Sequence, residues 1–159
     1  MSGSADLTFE TLTSVGARLA TGELSPVELL EAQIAAIDAR DPDLHAYMTV
    51  TAEPAREAAR RAEREIAEGK HLGPLHGVPV AVKDLCFTRG VKTTCGSLLY
   101  EEMVPDHDAH VVSRLAEAGA ILVGKLAMTE FAMTGYPPHY RCFSASPTVP
   151  GEGAALLRP

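Results

Sequence analysis

The stretch Gly73-Pro-Leu-His-Gly-Val-Pro-Val-Ala-Val-Lys-Asp84 constrains the fold most. Val78, Val80 and Val82 alternate with Pro79, Ala81 and Lys83, which is the period of a β-strand. With the valines on one packed layer, Lys83 stands on the other face, at the strand's carboxyl end. Pro79 cannot donate to a ladder, so it belongs at a strand start or on an edge. Further on, residues 109–118 have helical spacing, with Val111, Val112 and Leu115 on the apolar side and Asp108 placed to cap the start. Gly119 ends that helix, and Ala120 to Val123 form a second apolar run. Strand, helix and strand in this order predict a parallel βαβ unit with a right-handed crossover. Ligands of open α/β sheets gather at the carboxyl ends of the strands. Lys83 is therefore a candidate base, because burial of an ammonium lowers its pKa. The ordinary alternative is a lysine whose stem covers apolar surface while its amine reaches water.

The segments before this unit read as helices. Residues 1–6 are small and polar, which predicts a frayed start. A helix over 8–21 ends near Gly22. Ser25-Pro-Val-Glu28 then has an N-cap, a first-turn proline and the glutamate of a capping box. Val27, Leu30, Ile34 and Ile37 share one face of the helix that follows, and Asp41-Pro42 predicts its end near Arg40. Leu44 to Val50 is a short apolar link or strand. Residues 52–68 form an alanine-striped helix with Ile66 on the same side. Its arginines and glutamates read as a solvated face with pairs such as Glu57–Arg61. Residues 85–108 are a long irregular stretch, and residues 126–133 a short helix or turn.

Composition narrows the function. The net charge of −7 argues against nucleic acid as the main partner. No apolar run is long enough to span a membrane and residues 1–20 do not resemble a signal peptide, so a cytoplasmic protein is expected. Cys86, Cys95 and Cys142 are odd in number and form no C-x-x-C, which indicates neither a disulfide framework nor a zinc site. His107 and His110, beside Asp106 and Asp108, have a spacing that metal ligands can use. Such clusters before a helix are more often caps and solvated loops, and no metal or cofactor is expected. No Walker loop or G-x-G-x-x-G fingerprint appears.

Gly77-Val-Pro-Val-Ala-Val-Lys-Asp84 resembles the lysine motif of the amidase signature family. The resemblance continues through Thr93-Thr-Cys-Gly-Ser97, Asp108-Ala-His-Val-Val112, Leu115-Ala-Glu-Ala-Gly-Ala-Ile-Leu-Val-Gly-Lys125 and Met128-Thr-Glu-Phe-Ala-Met133. It covers roughly residues 7 to 140, and the ordered series is far more specific than any single motif. It implies N-terminal helices followed by a βαβ unit of a mixed sheet, an incomplete part of the family's α/β/α fold. It also implies amide C–N hydrolysis by a Ser–cis-Ser–Lys triad. In that scheme a neutral lysine, matched here by Lys83, draws a proton through a bridging serine. A second serine attacks the amide carbonyl, and a glycine-rich loop holds the oxyanion. By the same resemblance Met128 and Phe131 lie near the acyl pocket; alone, residues of these types at this spacing are more often core.

The family's Gly/Ser-rich stretch does not occur among the 76 residues that follow Lys83. Ser144 and Ser146 have no glycine cradle, and Gly151 and Gly153 are a poor remnant. The expected organisation is the front of an amidase domain over residues 1–140 and an aberrant or disordered tail over 141–159, from a frameshift or premature stop. Three functions are consistent with this: an amidase-family hydrolase whose chain is inactive alone, a non-catalytic remnant or interaction module, and a part resembling the A-type component of a glutamyl-tRNA amidotransferase. The expected partner is a small-molecule amide in the full-length family, with self-association through uncovered sheet edges as a further possibility.

Overall fold

The computed structural model describes Leu7 and residues 10–133. The predicted tail 141–159, with Ser144 and Ser146, lies outside the described residues, as do residues 1–6. The first helix, α1, spans Leu12–Ala20 and is capped by the Thr11 hydroxyl, which accepts from the Ser14 amide at 3.2 Å. The second, α2, spans Pro26–Leu44. Ser25 caps it as its sequence signature predicts: Ser25 Oγ accepts from the Val27 and Glu28 amides at 3.0 and 3.3 Å. Its hydroxyl also donates to Glu63 Oε1 at 2.5 Å, tying the cap to a neighbouring helix.

Asp41-Pro42 does not end α2. Pro42 lies inside its last turns, where only one amide bond is lost and the ring's fixed φ is already helical. The helix stops at His45, whose φ of 48° is left-handed and whose amide donates to Asp41 O at 2.7 Å. Asp41 Oδ1 then accepts the Ala46 and Tyr47 amides, turning the chain into β1, Tyr47–Val50. Helix α3, Ala52–Ala67, buries Ala55, Ala59 and Ala62. Its Arg56 bridges to Glu31 of α2 and to Glu53, so the outer face also staples two helices.

The βαβ unit is present. Strand β2, Pro79–Lys83, pairs in parallel with β3, Ile121–Leu126, and α4, His110–Glu117, connects them. Strand β1 pairs antiparallel with β3, giving a mixed three-stranded sheet in the order β1-β3-β2. Pro79 is both the first residue of its strand and on an outer strand, the two places a proline tolerates. Helix α4 buries Val112 but leaves Val111 exposed, and Asp108 does not cap it. Asp108 Oδ1 instead accepts the Arg89 amide at 2.7 Å and fixes the loop before the helix.

Two apolar clusters hold the layers. Val78, with Val80 against it, packs with Val15, Leu19, Leu24 and Leu29. Ala81 packs instead on the second cluster, which joins Leu30, Ile34, Ile37, Ala55, Ala59, Ile121 and Val123. Neighbouring residues of β2 thus enter different clusters, as a period of two requires.

Strand β3 runs to Leu126, three residues beyond the sequence expectation. Its register against β2 slips once: Val80 pairs with Leu122 but Ala81 with Gly124, leaving Val123 as an extra residue. A bulge of this kind puts two successive residues on one face and reverses the alternation beyond it. Val123 keeps company with Ile121 and Ala81 in the second cluster, Gly124 opposite Ala81 falls on the same face, and Lys125, opposite Val82, turns the other way. Gly124 sits where a Cβ would collide with the Thr49 carbonyl oxygen and lie 2.9 Å from the Tyr47 ring.

Candidate active site

The carboxyl ends of the two parallel strands lie side by side, with Lys83 opposite Leu126. The Asp84 amide donates to Leu126 O at 3.0 Å, and the Cys86 amide closes a tight turn onto Lys83 O at 2.8 Å. The Lys83 side chain is exposed and makes no hydrogen bond or ion pair with any described residue. An amine so placed is free to meet a reacting group from outside.

The two residues flanking this strand end are the opposite of free. Asp84 and Lys125 are both wholly buried, with their charges 3.3 Å apart between Asp84 Oδ1 and Lys125 Nζ. Lys125 Nζ also donates to Thr93 Oγ1 at 2.6 Å and to Cys86 O at 2.8 Å. Two of the ammonium's three donors thus have acceptors, and the charge of Asp84 stands beside the third. Asp84 Oδ2 accepts both the amide and the hydroxyl of Thr94, at 2.8 and 2.6 Å. Oδ1 has no hydrogen bond and is met by the Lys125 charge alone. Burial pushes the Lys125 amine below the usual lysine range, and attraction to Asp84 opposes that shift. Burial, followed by repulsion from Asp84, raises the neighbouring Cys95 thiol, so it is a poor candidate nucleophile.

A second set of bonds locks the loop 93–97 to the chain after β3. Ser97 Oγ, wholly buried, donates to Glu130 Oε1 at 2.6 Å, and the Phe131 amide donates to Cys95 O at 2.8 Å. Gly96, at a φ of +70°, lies so close to the Met128 carbonyl that a Cβ would stand 2.8 Å from its oxygen. Cys95, Phe131 and Ala132 also have positive φ without being glycine, so both facing turns hold strained backbone. Met128 is buried. Phe131, in a 3-10 turn over Glu130–Ala132, is partly exposed and meets Tyr100 edge to face at 5.7 Å. Lys83, Met128 and Phe131 therefore belong to the same end of the parallel pair, in segments that are bonded to one another.

His107 and His110 do not form a metal cluster. His107 Nδ1 lies 2.7 Å from Asp106 Oδ1 in the open, and Asp108 is engaged with Arg89. Among the described residues no group of three His, Cys, Asp or Glu side chains could hold a metal ion, and no helix is long and apolar enough to cross a membrane.

Sequence reasoning stopped the strand at Val123 and so missed Lys125 as an inward group; it also gave Asp84, Thr93, Ser97 and Glu130 no role. One signal was present: a lone cation closing an apolar run, the same pattern that singled out Lys83.

Comparison with known proteins bears on the family of the chain. The family model described as Amidase matches residues 28–146. The chain is 48% identical over 128 residues to the A-type component of the glutamyl-tRNA(Gln) amidotransferase of Geobacter metallireducens, covering 80% of this chain and 26% of that protein. It is 45% identical over 127 residues to the putative amidase AmiD of Mycobacterium tuberculosis, with coverage of 80% and 27%. The crystal structure of peptide amidase from Stenotrophomonas maltophilia superposes with a TM-score of 0.74 at 34% identity, over 80% of this chain and 26% of that one. The chain thus spans about a quarter of the length of the relatives it matches.

Proposed function

The chain belongs to the amidase family, and we propose that it carries the base-bearing part of an amide-hydrolysing site, with Lys83 as the base. The observation that supports this is an exposed lysine, without a side-chain partner among the described residues, at the carboxyl end of a parallel strand, on a turn held from both sides by buried bonds. In the reaction the Lys83 amine takes the proton of a bridging serine, which takes that of the attacking serine. The attacking oxygen forms an ester with the acyl carbon, the C–N bond breaks, and the amine leaves with a proton returned along the same path. Water then cleaves the ester. Met128 and Phe131 would border the acyl group. The two serines and the oxyanion loop are not supplied by a Gly/Ser-rich stretch of this sequence, so the 159 residues do not complete the site.

Ammonia release from a panel of simple amides tests this. The 159-residue chain should be no faster than its Lys83→Ala variant. With residues 141–159 replaced by a family-like continuation through the Gly/Ser loop and the remaining sheet, turnover should appear. It should then fall by about 10²–10⁴ on Lys83→Ala, the range of a general base. Turnover by the 159 residues that Ser144→Ala or Ser146→Ala abolishes would overturn the proposal.

The identity to amidotransferase components supports a second reading, in which the ammonia released from an amide is passed on to an acceptor. Release of free ammonia without any stimulation by a glutamyl-tRNA acceptor would count against it. A non-catalytic remnant is the outcome if the extended chain never turns over.

A further inference from the structure

Lys125 and Asp84 place a full ion pair in the core directly behind the candidate base. Apolar side chains of similar volume often serve a core as well as a buried ion pair, so stability alone does not call for charges there. What the pair does uniquely is connect. Lys125 joins three pieces of chain through one nitrogen: the turn after β2 at Cys86 O, the loop at Thr93 and, by charge, Asp84. Asp84 joins that loop again at Thr94, while its own backbone bonds Leu126 O and Cys95 N. Lys83 itself has no side-chain partner among the described residues, so the direction in which it leaves the sheet is set by its neighbours.

We propose that the Lys125–Asp84 pair, closed by Thr93 and the Cys86 carbonyl, is a positioning device that orders the backbone of residues 83–86 and thereby aims Lys83. Lys125 cannot touch a substrate, being wholly buried. The bulge at Val123 is what turns its amine toward Lys83's turn rather than toward the helix-side cluster. A catalytic group must be held close to its productive geometry by side chains whose own orientation is locked, and this network supplies the lock from the side opposite the solvent.

The inference rests on the reading of Lys83 as the base, but its test does not use turnover. The 159-residue chain is labelled for NMR, and its accessible lysines are ¹³C-methylated. Two variants are compared with it: Lys125→Met/Asp84→Asn, which removes both charges together, and Thr93→Val, which removes at constant volume the hydroxyl that accepts from Lys125 and donates to Val91 O. In each, amide exchange at residues 83–86 should speed at least tenfold, and the Lys83 methyl signal should shift and sharpen. The Lys70 and Lys92 signals and the α1–α3 amides should stay in place. Thr93→Ser, which keeps the hydroxyl, should restore the Lys83 signal. Unchanged exchange and an unchanged Lys83 signal in folded variants would overturn the proposal. So would failure of Thr93→Ser to restore the signal. Loss of the α1–α3 signals in both variants would overturn it too, because the pair would then hold the whole fold rather than aim one residue. Loss of Lys83 as base in the ammonia assay, with the order at 83–86 still dependent on Lys125, would remove the catalytic reading and leave the positioning intact.

Discussion

A lysine amine withdrawn from water gives up hydration that its neighbours must replace. At Lys125 the replacement is one carboxylate, one hydroxyl and one carbonyl, and the net result is an amine that releases its proton more readily than in the unfolded chain. The sign follows. With the folded pKa lowered, the unfolded chain binds the proton more tightly, and the penalty for charge in the fold is present in full below the folded pKa. It fades as pH rises from that value toward the unfolded value of about 10.4, and is absent above it. Stability relative to Lys125→Met/Asp84→Asn should therefore increase with pH through that alkaline window, measured by chemical denaturation at a series of pH values. Titration of the Tyr groups is common to both proteins, and Cys95, whose thiol feels both Asp84 and Lys125, is replaced by Ser in both so that it does not contribute. A difference that stays flat would mean that Lys125 keeps an ordinary pKa in the fold.

Among the elements, β3 is the most constrained. Gly124 has Tyr47 and the Thr49 carbonyl against the place of its missing side chain, so Gly124→Ala must push β1 away. The expected cost is about 1–3 kcal/mol, the range for forcing atoms into a packed site, read from the shift in denaturation midpoint. The same strand shows what was legible beforehand. The parallel βαβ unit could be read because alternation, helical spacing and a closing glycine all agreed. The Ser25 cap could be read because its chemistry is local. The end of α2 could not: proline stops a helix by what it does to the preceding turn, and at Pro42 that turn was ready to tolerate it. Lys83 was singled out in the sequence because it ends an apolar run. Lys125 ends one equally, but its direction depends on the slip at Val123, which arises between two strands and is written in neither.

At the scale of the molecule, the three strands and four α-helices of the described residues leave much apolar surface open. Leu99 and Met133 are 84% and 79% exposed, and Leu98, Tyr100, Val104 and Phe131 are also exposed. Among the described residues both outer strands, β1 and β2, have a side with no neighbour. Surfaces of this kind recruit other chains. The 159-residue chain should therefore self-associate with rising concentration, seen by light scattering, and Leu99→Lys should reduce the association without altering the melting of the monomer. A monodisperse monomer at every concentration would contradict this. The slip at Val123 has a genetic corollary. Val123 is the residue the ladder leaves unpaired, so loss of its codon alone would keep Ala81 opposite Gly124 and Val82 opposite Lys125, with the Lys125 ammonium on its present face. Regular pairing of the full-length strand would instead turn that ammonium among Leu30, Ile34 and Ala59. The strand carries one residue more than its ladder needs, and a chain shortened by that one codon should still bond Lys125 to Thr93 and Cys86 O.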